Sequence, residues 1–133
     1  MSGNFLDTNI IIYSIGNDDN KRTISTALIN QSPILSVQVL NETANTLLRK
    51  FKMSVQDVQT ITRALAKECS VEPLTENTHF LALDIKDRYQ FSLYDSLIIA
   101  SALTAKCKVL YSEDMQNGQL IHNELQIINP FVD

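Results

Sequence analysis

The sequence has no tryptophan, and only three glycines and three prolines in 133 residues. That scarcity excludes collagen-like repeats, flexible linkers and low-complexity tails, all of which need those residues in quantity. Two cysteines, Cys69 and Cys107, are too few for a disulfide scaffold and lack the spacing of a zinc site. Both therefore read as reduced side chains at helix ends or in the core. The longest apolar runs, such as residues 10–13, are far too short to cross a bilayer, and the start MSGNFLD lacks a basic signal-like region. The expectation is a soluble, cytoplasmic protein. Positive charge is also in short supply: 11 Lys and Arg against 15 Asp and Glu give a net charge of −4. A broad basic surface for non-specific duplex binding is excluded by that balance, although local cations remain. Arg49, Lys50 and Lys52 form one such group, read first as a solvated helix end favoured by the helix dipole.

What is present suits one compact domain over residues 1–133, since 44% hydrophobic residues can fill a single core. Asn4 to Leu6 reads as a strand, after which Thr8 or Asn9 would cap a short helix through Tyr13. A helix over about 20–30 follows, and Pro33 precedes a strand at Ile34 and Leu35. Ser36 caps a helix to Phe51 whose apolar stripe is Leu40, Ala44, Leu47, Leu48 and Phe51. Ser54 and Asp57 open another, carrying Val55, Val58, Ile61 and Leu65, to make a helical hairpin. Residues 71–74 read as an edge strand because of Pro73. Helices over 75–89 and 92–106 lead to strands at 109–111 and 125–128. Strands alternating with helices predict an α/β fold with a parallel sheet.

In such sheets ligands bind beyond the carboxyl ends of the strands. Asp7 follows the first strand directly, and Glu113 with Asp114 follow Val109 to Ser112. Two strands thus deliver carboxylates to one edge. An ionised Asp7 within the apolar run FLDTNIIIYS requires a partner, or serves as the cap of the next helix. Asp95, three residues after Ser92, has capping-box spacing but sits on a helix apolar on nearly every side. Glu42 lies opposite the predicted apolar stripe, which by itself places it in solvent. Carboxylates gathered within about 4 to 6 Å repel by roughly 3 to 4 kcal/mol per pair at an effective dielectric of about 20, and a cation relieves this. All-oxygen donors suit Mg²⁺ or Mn²⁺ rather than zinc. His79 and His122 match no zinc spacing and read as surface or packing residues.

The stretches LDTNIIIYS, SVQVLNE around Glu42, YDSLIIASAL around Asp95, YSEDMQNGQ and the terminal NPF together resemble the PIN-domain family, and most closely its VapC-type toxins. They occur in the family's order and span nearly the whole chain. The resemblance implies a sheet of about five strands in the order 3-2-1-4-5. It places Asp7, Glu42, Asp95 and Asp114 at an acidic Mg²⁺ or Mn²⁺ site, and prefers Asp114 over Glu113. Asn9 and Ser112 match polar positions that support the carboxylates. Asn117 falls in a loop where related chains vary between acid and amide, and its role stays open.

The function so implied is endoribonuclease: hydrolysis of RNA phosphodiester bonds by water activated on the metal. Asp7 would be the central ligand, Asp95 and Asp114 further ligands, and Glu42 a ligand or general base. A small antitoxin protein and a homodimer are the implied partners, and the helical hairpin offers a groove for a partner helix. The competing readings are a non-catalytic PIN-like binding module and an RNA-processing nuclease without an antitoxin. A haloacid-dehalogenase phosphatase would need a second Asp where Asn9 stands, and a receiver domain needs a Lys pattern that is not found.

Overall fold

A computed structural model describes residues 3–132, so the first two residues and the last of the expected domain lie outside the described part. The order is β1 (Asn4–Leu6), α1 (Thr8–Tyr13), α2 (Asp19–Ile29), β2 (Ile34–Ser36), α3 (Val37–Arg49), α4 (Val55–Glu68), β3 (Ser70–Glu72), α5 (Glu76–Tyr89), α6 (Leu93–Thr104), β4 (Val109–Tyr111), β5 (Leu120–Ile121) and β6 (Leu125–Ile128). The α/β class and the alternation read from the sequence are both found. Side-chain oxygens start most of the helices: Asp18, Ser36, Ser54, Thr75 and Ser92 each accept an N–H from the first turn.

The sheet runs β3-β2-β1-β4-β6-β5. Its first five members are parallel neighbours and reproduce the predicted order, with β6 as the expected fifth strand. The sixth, β5, was not foreseen. It pairs antiparallel with β6 across a tight turn in which Glu124 N–H donates to Ile121 O at 3.0 Å. His122 and Asn123 have φ of 52° and 55°, so both central residues are left-handed, the arrangement that matches hairpin twist. Strand β3 lies at the opposite edge, as expected, but spans Ser70–Glu72, so Pro73 follows the strand rather than lying within it.

The core lies where Phe5, Leu6, Leu35 and Leu110 of the sheet meet Ile10, Ile11, Ile85, Ile98 and Ile99 of the helices. Helix α6 is buried over most of its surface, including Ser96 and Ser101, as its apolar composition implied. Both cysteines are buried, and burial pushes each thiol up to about 11, with Glu68 beside Cys69 and Glu72 beside Cys107 adding to the effect.

Helix α3 departs from the predicted stripe. Its buried residues are Gln38, Val39, Thr43 and Leu47, while Leu48 and Phe51 are exposed. The buried arc is turned about a quarter of a revolution toward the polar side, because α3 packs against α1 as well as α4. This rotation brings Glu42 out of solvent.

Candidate acidic site

Asp7 is the residue where β1 becomes α1. Its N–H donates to Tyr111 O at 3.0 Å, which extends the β1–β4 pairing by one step. Its backbone is extended (φ −74°, ψ 161°) and its Oδ1 accepts Thr8 N–H at 2.7 Å, so Asp7 itself caps α1. Thr8 and Asn9, expected as the cap, are the first two helical residues instead. Asp7 Oδ2 accepts from Ser112 Oγ at 2.7 Å and from Asn9 Nδ2 at 3.4 Å. Capping and site membership therefore coincide in one carboxylate.

Ser112 follows β4, and its hydroxyl also accepts Asp114 N–H at 3.3 Å. Asn9 is a double bridge: its Nδ2 reaches Asp114 Oδ2 at 3.0 Å, and its Oδ1 accepts Glu113 N–H at 3.2 Å. Glu42, on the rotated α3, accepts from Thr8 Oγ1 at 2.6 Å and from Gln38 Nε2 at 3.1 Å. Gln38 was not singled out from sequence. Its amide also donates to Tyr94 O at 3.1 Å, tying α3 to α6. Asp95 lies in the first turn of α6, where its N–H donates to Ser92 Oγ at 3.1 Å.

Asp7, Glu42, Asp95 and Asp114 line one cleft of about 450 Å³, together with Thr8, Asn9 and Lys50. Among the described residues none of the four forms a salt bridge; the pairs present are Lys21 with Glu113 and Arg22 with Asp19. Burial pushes the Asp7 carboxyl up to about 6, against the hydrogen bonds from Ser112 and Thr8 and with the charges of Asp95 and Glu42. Asp95 is raised by burial, opposed by Ser92, and by the charges of Asp114 and Glu42. Asp7 and Asp95 thus feel neighbouring carboxylates, and among the described residues neither is ion-paired. Among the described residues no three acidic, His or Cys side chains are arranged to hold a metal ion as they stand.

A sequence-family comparison assigns residues 5–117 to the PIN domain. The chain belongs to the PIN domain family. No curated protein sequence matches it. Among solved structures, a toxin–antitoxin complex from Klebsiella pneumoniae is similar with a TM-score of 0.73 at 17% identity, covering 95% of this chain and 96% of that one. Mycobacterium tuberculosis VapC20, titled a sarcin-ricin loop cleaving toxin, is similar with a TM-score of 0.65 at 20% identity, over 84% and 89% of the two chains. At these identities the two structures establish a shared fold.

Within this PIN domain, Glu113 and Asp114 face different ways. Asp114 is exposed in the cleft, whereas Glu113 accepts from Lys21 Nζ at 2.5 Å and from the Tyr13 hydroxyl. Partial burial would raise the Glu113 carboxyl, but the Lys21 and Tyr13 hydrogen bonds outweigh it and hold it below the usual range. Lys21 also stands over the Tyr13 ring at 4.4 Å and over Phe131 at 5.3 Å. Asn117 lies outside the cleft; its Oδ1 accepts Asn129 N–H at 2.8 Å and ties the loop to the C-terminal segment. His79 stacks edge-on with Phe80, and His122 lies in the β5–β6 turn, so both are remote from the acids.

Proposed function

We propose that this PIN domain, acting as a single unit, is a metal-dependent endoribonuclease of the VapC type, with Asp7, Glu42, Asp95 and Asp114 as its catalytic and metal-binding carboxylates. The observation that carries the reading is four carboxylates in one cleft, none of them ion-paired among the described residues although Lys50 stands at the cleft wall. A structural role gives no reason to tolerate that repulsion. The donor set is all oxygen, which fits Mg²⁺ or Mn²⁺. The Asn9 amide already places partial positive charge between Asp7 and Asp114.

A hard dication held by these four groups would supply a water acidified enough to attack a phosphodiester. The chain's own residues fix the donors. Ser112 and Thr8 hold the two Asp7 oxygens in one rotamer, and Asn9 sets the spacing of Asp7 and Asp114. Thr8 and Gln38 aim Glu42, which is placed to take a proton from an attacking water. No histidine is required. RNA is the proposed substrate, an antitoxin protein a proposed partner, and a homodimer and cytoplasmic location complete the reading. No described helix is long and apolar enough to cross a membrane.

The test is cleavage of mixed cellular RNA by wild type and Asp7→Asn with Mn²⁺, then with EDTA. Cleavage that needs both Asp7 and the ion supports the reading. Equal cutting by the variant or in chelator overturns it, and no cutting with no thermal stabilisation by Mn²⁺ favours a non-catalytic binding module.

A further inference from the structure

We infer that the far end of α3 carries a second subsite, in which Arg49, with Lys50 at the border of the acidic cleft, holds the backbone phosphates of single-stranded RNA two to three nucleotides from Glu42. The inference rests on the nuclease reading and adds a path for the strand. Glu42, Thr46 and Lys50 recur at four-residue intervals, so they form one row along the helix. Thr46 is fixed in that row by its hydroxyl, which donates to Glu42 O at 3.0 Å. Thr46 and Lys50 line the acidic cleft and also an adjoining depression of about 420 Å³ whose other walls are Asn45 and Arg49. The two hollows therefore adjoin, with Thr46 and Lys50 as their shared wall.

Their chemistry is opposite. The first is lined by four acids with Lys50 at its edge; the second is lined by Arg49 and Lys50, both exposed, with Asn45 and Thr46, and has no acid on its walls. Among the described residues neither Arg49 nor Lys50 is ion-paired, whereas the nearby Lys21 and Arg22 both are. From Glu42 to Arg49 the helix rises about 10 Å, at 1.5 Å per residue. That is the length of about three stacked nucleotides at about 3.4 Å each. A polyanion entering a cleft of uncompensated carboxylates needs an attractive point outside it, and this pair is the one adjoining the cleft through shared walls. A favourable helix dipole alone accounts for cations in the last turn, but not for a hollow that joins them to the acids. Lys52 lies past the helix end with φ of 55° and lines neither hollow, which makes it an internal control.

The experiment measures fluorescence anisotropy of labelled single-stranded RNA, as an octamer and as a dinucleotide, in metal-free buffer over a salt series. Steady-state cleavage of the octamer in Mn²⁺ accompanies it. The double variant Arg49→Gln, Lys50→Gln is expected to weaken octamer binding about tenfold and to flatten the salt slope by about 1.4, the value for two phosphates on a single strand. KM for the octamer rises and the melting temperature stays near wild type, while Arg49→Gln alone, outside the acidic cleft, weakens the octamer and leaves dinucleotide affinity near wild type. Arg49→Lys restores binding in part, and Lys52→Gln changes nothing. An unchanged octamer Kd and salt slope in the folded double variant overturns the subsite, as does an equal loss for octamer and dinucleotide in Arg49→Gln, or a wild type that binds no octamer. Octamer binding that depends on Arg49 and Lys50 without any cleavage keeps the subsite and removes the nuclease reading.

Discussion

Glu113 and Asp7 both bond to Asn9, Glu113 by its backbone N–H and Asp7 by its carboxylate, and the protein treats their two carboxylates oppositely. Glu113 has a lysine and a phenol, and is held ionised below its ordinary range. Asp7 has three neutral donors and two acidic neighbours, and is pushed up to about 6. The first arrangement completes its electrostatics within the fold. The second has no ion-paired cation among the described residues. Chain neighbours of one charge type thus divide into a fastener, Glu113, and a member of the open cleft, Asp114.

The hardest test of that contrast is Asp7→Asn. RNA cleavage is expected to fall by on the order of 10³-fold, the scale lost when a preorganised electrostatic group is removed. The same variant should be more stable than wild type at pH 7.5, by about 1 to 2 kcal/mol in urea unfolding, because a buried charge is gone. The gain stays below the full titration energy, since an amide sets an N–H against donors that now meet Asp7. A stable but inactive protein separates the cleft from the scaffold; a destabilised one would show that Asp7 is mainly a cap.

The next test is pH. Asp7 titrates at about 6 in the folded chain against 3.8 for the ordinary group, so between these values the folded state keeps a proton the unfolded state has lost. Stability from this group is therefore highest below about pH 4 and falls as pH rises to about 6, by about 3 kcal/mol in all at about 1.4 kcal/mol per unit. Melting curves from pH 4 to 7.5 should show this fall in wild type and not in Asp7→Asn. Mn²⁺ should offset it above pH 6 and have little effect at pH 4.5, where protons compete for the oxygens.

Smaller effects refine the comparison. Ser112→Ala removes the shortest donor to Asp7 Oδ2 and the acceptor for Asp114 N–H, and is expected to lower cleavage 10- to 100-fold with modest change in melting temperature. Glu113→Gln breaks the Lys21 pair, which is partly exposed, so a drop of only a few degrees and a less than tenfold loss of cleavage are expected. A larger catalytic loss from Glu113→Gln than from Ser112→Ala would reverse the assignment of fastener and cleft.

Much of this was legible in the residues. Alternating short strands and capped helices gave the parallel sheet, and the placement of Asp7 and Asp114 after β1 and β4 put both at one edge. Glu42 was harder. Of the expected stripe of Leu40, Ala44, Leu47, Leu48 and Phe51 only Leu47 is fully buried, and packing against α1 buries Val39 and Thr43 beside it, a tertiary choice that local periodicity does not contain. The β5–β6 hairpin was missed because its left-handed turn uses His122 and Asn123, where Asn-Gly would have announced it. The Lys21–Glu113 pair spans 92 positions, and nothing in a local pattern joins residues that far apart.

The bond from Ser112 to Asp7 closes a loop of 105 residues, and β1 finds its β4 neighbour only across the same gap. During translation, the amino-terminal half of the acidic pocket is made first and waits for its complement. The four acids can share one pocket only once synthesis has passed Asp114, so the order of the chain sets the moment at which the cleft first exists.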